Sequence, residues 1–139
     1  MSFIYDLFNK KSKNEIISVQ KLTLRTMNMR VTYLYKIEHE NTGLKFERYR
    51  EVFIDGDVRL ELERRVSCTI GTFVKLMNDC NVMKWDGFHG KHPKNVSDGT
   101  MFTFSATVNN GQVIRADGSE NFPKGYRELV RAFNEMLEN

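Results

Sequence analysis

Between Cys68 and Ile70 the hydrophobic period of this chain changes. Before that point apolar residues recur every second position, and after it every third or fourth. Val58, Leu60 and Leu62 alternate with Arg59, Glu61 and Glu63, the pattern of a strand with one solvated face. Ile70, Phe73, Val74, Met77 and Cys80 then fall on one stripe of an amphipathic helix, with Ser67 or Thr69 as its N-cap. A chain that makes this switch must pack helices against a sheet.

Upstream, Ile16–Thr26 reads as a strand with Leu22 and Leu24 on one face, and a turn is expected near Asn28. Val31, Tyr33, Tyr35 and Ile37 form a second alternating run, Asn41-Thr42-Gly43 is a turn signal, and Leu44–Phe53 is a third strand. Asp55-Gly56 is a hairpin signal leading into the fourth strand. Downstream, Phe102, Phe104, Ala106 and Val108 alternate as a fifth strand. Asn110-Gly111 is expected to turn it in type I′ geometry into a sixth at Val113–Ala116. Tyr126, Leu129, Val130, Phe133, Met136 and Leu137 make a last amphipathic helix, with Pro123 in its first turn. The expectation is an α+β fold: one antiparallel sheet of about six strands, a meander plus a hairpin. Two main helices lie on one face, in the order (α)ββββαββα.

The bracketed helix is residues 1–13, where Phe3, Ile4, Leu7 and Phe8 fall at helical spacing before Lys10, Lys11 and Lys13. It reads as a short amphipathic segment that packs on the domain or docks on a membrane surface or partner. Residues 14–139 read as a single domain, a size that needs no staple.

The charge is balanced. Of 21 basic and 18 acidic residues, residues 1–68 hold 13 and 10, the rest 8 and 8, with no basic stripe of a dedicated nucleic-acid binder. Two cysteines, at the ends of the first main helix, are too few and too far apart for a disulfide framework. With no signal peptide and no apolar run of membrane-spanning length, the expectation is a cytoplasmic protein.

No catalytic motif is present: no phosphate loop, no nucleophile elbow around Ser119, no zinc-helix signature. Cys68, near Arg64, Arg65 and a helix start, is the better of two weak thiol nucleophiles. One segment stands out. Trp85-Asp86-Gly87-Phe88-His89-Gly90-Lys91-His92-Pro93 precedes the fifth strand, and Asp117-Gly118-Ser119-Glu120-Asn121-Phe122 follows the sixth. Hairpin topology brings the two to one end of the sheet. Trp85, Phe88 and Phe122 are core aromatics or a stacking wall. Asp86, Asp98, Asp117, Ser119 and Asn121 are turn and cap residues or a polar ring. His89 and His92 with Asp86 and Asp98 could hold a divalent ion, on a weak signal. Arg48, Arg50 and Arg59 alternate with Glu47, Glu51 and Glu61 on neighbouring strands. They read as cross-strand ion pairs or as an RNA-binding face with Tyr33, Tyr35 or Tyr49 stacking on bases.

The run Trp85-Asp86-Gly87-Phe88, Asp98-Gly99 with Phe102 and Phe104, Ala116-Asp117-Gly118-Ser119, and Phe122-Pro123 with Tyr126 resembles a pattern in uncharacterised bacterial, Firmicutes-type proteins. The resemblance implies a bacterial cytosolic origin and no activity. The functional expectation is a non-enzymatic binding or interaction module without a cofactor. Its ligand residues would be Trp85, Asp86, Phe88, His89, His92, Asp98, Asp117 and Ser119. The alternatives are a metal-dependent enzyme at His89 and His92 and a nucleic-acid-binding sheet face. The partner would be a protein or small molecule, and the chain a monomer or homodimer.

Overall fold

A computed structural model describes residues 15–97 and 99–138. The amphipathic segment 1–13 and Asp98 lie outside the described residues. The sheet has seven strands in the order β4-β3-β2-β1-β6-β7-β5. They are β1 Val19–Met27, β2 Thr32–Glu40, β3 Gly43–Ile54, β4 Asp57–Cys68, β5 His89–Gly90, β6 Met101–Val108 and β7 Gln112–Ser119. Helix α1 spans Ile70–Asp79 and α2 spans Tyr126–Glu138, with a 3-10 turn at Val82–Trp85. The α+β class and the antiparallel meander hold. Two details differ from the expectation: β5 is a seventh, two-residue strand that pairs parallel with β7, and β7 runs on to Ser119.

The meander follows from its turns. Asn28 accepts from the backbone N–H groups of Arg30 and Val31 at 2.8 and 2.9 Å, an Asx-type turn that sends the chain back into β2. Asp55 and Gly56 both take positive φ, 52° and 84°, as a two-residue type I′ loop requires. The β6–β7 turn is displaced one residue from the Asn110-Gly111 expectation. Asn109 and Asn110 carry the paired left-handed conformations, and the Gly111 N–H closes the turn on the Val108 carbonyl at 3.1 Å. Asn tolerates that region almost as Gly does, so N-N-G offers two registers. Asn109 also holds the chain before β1, accepting from the Ile17 N–H at 2.8 Å and donating to the Glu15 carbonyl at 3.0 Å. That contact favours the register seen.

Both helices cover one face. Leu22, Leu24, Tyr35, Ile37 and Phe46 meet Phe73 of α1 and Phe133 of α2, all buried in one cluster. Phe46 sits at the centre, with ring centroids 5.2 Å from Phe73 and 4.8 Å from Phe133. Helix α1 is capped by Thr69, which accepts from the Thr72 N–H at 3.2 Å. Helix α2 begins later than Pro123 suggests: Gly125 takes φ +93°, which no helix contains, so Pro123-Lys124-Gly125 is a turn leading into it.

Arg48 lies on the helix-bearing face and is nearly buried. It donates to Asn134 at 3.0 Å, Glu63 at 3.2 Å and Glu138 at 3.1 Å, tying β3 and β4 to the last turns of α2. The opposite face is lined by ion pairs: Arg25–Glu51 at 2.6 Å, Lys36–Glu38 at 2.8 Å and Arg65–Glu47 at 2.7 Å. Cross-strand pairing holds for only part of the expected set: Glu47 and Glu51 take Arg65 and Arg25, Arg48 takes Glu63, and Arg50, Arg59 and Glu61 form no ion pair among the described residues.

Both cysteines are free. Burial pushes the Cys68 thiol up to about 11 from the ordinary 9.0, and its Sγ lies 3.7 Å from the Leu44 carbonyl. The nearby arginines and helix start do not activate it, and the nucleophile reading fails. Because the folded value is raised, the thiol contributes stability that is complete below about pH 9 and is lost as pH rises through about 11. Iodoacetamide at pH 8 should label Cys68 much more slowly in the native protein than in denaturant. Equal rates would contradict the burial.

Candidate functional site

The two polar segments do converge, and the backbone shows how. After the 3-10 turn, the chain lies along the outer side of β7. The Gly87 N–H donates to the Arg115 carbonyl at 2.9 Å, and the Asp117 N–H donates to the Phe88 carbonyl at 3.0 Å. The Asp86 carboxylate accepts from the Arg115 N–H at 3.0 Å. Residues 86–90 thus satisfy the outward hydrogen bonds of β7 at Arg115 and Asp117 and cover that stretch of the sheet edge. Trp85 is 1% exposed, with its ring 5.0 Å from Phe104 and 6.0 Å from Tyr126, and its indole N–H donates to the Lys124 carbonyl at 2.9 Å. Phe88 is half-buried against Phe102, at 6.4 Å.

Asp117 and Ser119 belong to β7 and not to a loop after it. His89, exposed on β5, bonds through Nδ1 to the Asp117 carboxylate. His92 bonds through Nδ1 to the Ser119 hydroxyl at 2.7 Å and through Nε2 to the Val96 carbonyl. A carbonyl can only accept, so Nε2 carries a proton, and in the neutral ring the Ser119 hydroxyl donates to Nδ1. The two histidines therefore face different β7 partners and fasten residues 89–97 to the strand. Among the described residues no group of three His, Cys, Asp or Glu side chains could hold a metal ion.

The glycines of this region answer to close packing. A Cβ on Gly90 or on Gly118 would lie 2.3 or 2.2 Å from the Asn121 carbonyl oxygen, so segment 120–122 passes directly against both strands. That passage carries Phe122 onto Tyr126, stacked at 4.7 Å, and onto Phe102 at 5.7 Å.

Phe122 forms the boundary of two hollows. The smaller, about 230 Å³, is lined by Asn81, Lys84, Trp85, Phe88, Phe122 and Lys124 among others. The larger, about 420 Å³, lies between α2 and the ends of β1 and β2. Tyr33, Tyr35, Phe122 and Tyr126 supply its aromatic wall, and Arg127, Arg131, Asn134 and Glu120 its polar rim. The Tyr35 hydroxyl donates to Asn134 at 2.7 Å, and the Arg48 guanidinium lies 4.9 Å over the Tyr33 ring. Burial raises the Tyr35 and Tyr126 hydroxyls above their ordinary value, so both stay neutral donors. Burial opposes the charge on Arg48 most strongly, but the hydrogen bond to Glu138 together with the fields of Tyr35, Glu63 and Tyr33 outweighs it and holds the guanidinium charged. Glu120, at φ +47°, accepts from the Thr100 N–H at 3.2 Å. Arg127 and Arg131 are exposed and, among the described residues, have no ion pair. Arg127 lies 5.2 Å over the Phe122 ring.

Of Trp85, Asp86, Phe88, His89, His92, Asp117 and Ser119, none lines this larger cleft. Phe122 belongs to the stacking-wall reading and Tyr33 and Tyr35 to the base-stacking one; Arg127 and Arg131, four apart on a helix, are the signal that sequence reasoning missed. The structure also separates the tyrosines proposed for base stacking. Tyr33 and Tyr35 face the helices, whereas Tyr49 pairs with Leu34 and Leu62 on the opposite face. Among the described residues no helix is long and apolar enough to cross a membrane. No protein-family model matches the chain, and searches of curated proteins and of solved structures returned no match.

Proposed function

We propose that the chain is a cytoplasmic, non-enzymatic binding module that takes a small ligand with a flat apolar body and an anionic group in the cleft between α2 and the ends of β1 and β2. The observation that supports it most is the pairing of an aromatic wall with two unpaired guanidiniums around a hollow of about 420 Å³. That size suits a small organic molecule, and pockets of this class combine apolar walls with a few convergent polar groups. The apolar body would lie on Tyr33, Phe122 and Tyr126. A carboxylate or phosphate would meet Arg127 and Arg131, and Asn134, its amide oxygen held by the Tyr35 hydroxyl, would read a polar substituent with its amide N–H.

Native mass spectrometry of freshly purified protein tests the reading: a co-purified mass of a few hundred daltons, lost on denaturation, is the expected result. Arg131→Ala should then weaken retention roughly 10-fold or more, as for a hydrogen bond to a charged group. Trp85→Phe should leave retention unchanged. Bare protein at the sequence mass, together with no thermal stabilisation by a panel of aromatic carboxylates and phosphates, removes the cleft as a ligand site.

A further inference from the structure

The two edges of the sheet are treated differently. Residues 86–90 cover β7 at Arg115 and Asp117, but the twelve residues of β4 run along an edge with no strand beside it among the described residues. β2 pairs with β3 only as far as Arg50, so the β3–β4 hairpin projects beyond it as a two-stranded ribbon. On the face away from the helices this ribbon exposes Phe53 at 79%, Val58 at 52%, Leu60 at 49% and Leu62 at 44%. Edge strands are normally blunted by proline, by charged side chains, above all lysine, or by a bulge. β4 has neither proline nor lysine; its charges at Arg59 and Glu61 carry both signs and alternate with the apolar row, and its bulge, opposite Arg48 and Tyr49 of β3, lies past that row.

We propose that β4 pairs antiparallel with β4 of a second copy about a two-fold axis through Leu60. Backbone geometry selects the residues. The Asp55-Gly56 loop closes on the Ile54–Asp57 pair, and in a two-residue hairpin that pair exchanges both hydrogen bonds. Alternation then turns the N–H and C=O groups of Asp57, Arg59 and Glu61 toward β3, and those of Val58, Leu60 and Leu62 toward the free edge. Centring on Leu60 uses the free groups: Leu60 meets Leu60, and Val58 meets Leu62 of the second copy.

Charge selects the register. With Leu60 on the axis, Arg59 stands opposite Glu61 of the second copy, twice by symmetry, at the positions where facing side chains are closest. Centring on Arg59 opposes two guanidiniums, centring on Glu61 opposes two carboxylates, and centring on Leu62 sets Glu61 against Glu63. Centring on Val58 runs the pairing into the Asp55-Gly56 turn. In the chosen register Asp57 meets Glu63, whose carboxylate is already held by Arg48 at 3.2 Å. The apolar rows of the two copies then join into one strip across the axis.

Sedimentation equilibrium of the full chain decides the matter. The expected mass is twice the 16.3 kDa of one chain. Arg59→Glu should raise the dissociation constant about 10-fold or more, since two facing pairs turn from attraction to repulsion. Adding Glu61→Arg to it should restore the constant to within about 3-fold, because the swapped charges again face their opposites. Leu60→Lys, at a half-exposed position where the fold is not at stake, should give a monomer with an unchanged circular dichroism spectrum. A monomeric native chain, an assembly larger than two, indifference to Arg59→Glu, or failure of the double swap to recover each overturns the proposal.

Discussion

Trp85→Ala is expected to destabilise the fold by about 3–5 kcal/mol, read from denaturant unfolding. The indole is 1% exposed and bridges Phe104 of β6 and Tyr126 of α2, so truncation leaves a hole where the 3-10 turn, the sheet and the second helix meet. It also orphans the Lys124 carbonyl, which accepts from the indole N–H at 2.9 Å in the turn that launches α2. Trp85→Phe keeps one aromatic ring and loses that bond and the rest of the indole volume, so it should cost less than the alanine. A Trp85→Ala protein as stable as the native chain would show that the ring is not core, and would return it to the list of ligand-facing aromatics.

Gly125→Ala should be comparably severe, at about 3 kcal/mol or more. The added Cβ would lie 1.9 Å from the Cys80 carbonyl oxygen and 2.7 Å from its carbon, and both are backbone atoms that cannot rotate aside. The collision adds a cost of about 1–3 kcal/mol for overpacking to about 1–3 kcal/mol for a positive φ in a residue with a side chain. Relief requires the C-terminus of α1 and the entry to α2 to move apart. Gly71→Ala is the control. Gly71 lies in α1 at an ordinary helical φ, and a Cβ there meets nothing within 4 Å, so that change should stabilise by about 0.5–1 kcal/mol. If both alanines behave alike, the close approach at Cys80 is not real.

The parts of the fold carried by local periodicity were legible in the sequence. The four alternating runs, the capped helix at Ile70–Asp79 and the apolar stripe from Tyr126 all occur where period and turn chemistry place them. What escaped depends on contacts between distant segments. Nothing local in His89-Gly90 signals a strand; it becomes one because Gly87 and Phe88 meet Arg115 and Asp117 across the chain. The one-residue displacement of the β6–β7 turn was decided by Asn109 holding Glu15 and Ile17, more than ninety positions away. The site divides in the same way. Topology foresaw that residues 85–92 and 117–119 converge. But period cannot say that Tyr33, Tyr35, Arg127 and Arg131 enclose one hollow, since they come from elements about a hundred positions apart. The aromatic and glycine residues of the 85–126 motif are largely accounted for by packing. Trp85 is core, and Gly118 admits the Asn121 carbonyl.

The short ribbon at residues 86–90 has a consequence for how far association can go. A sheet with two open edges can add molecules at both and grow without limit into a fibril. Here one edge already carries its own chain, so a molecule joined at β4 offers no further template on its far side. Stacking ends after a single addition, and the product is a closed object and not a polymer. Loosening that clasp, for example by Asp86→Ala with His92→Ala, would uncover the second template. The expected sign is thioflavin-positive aggregate on mild heating, at a temperature where the native chain stays clear.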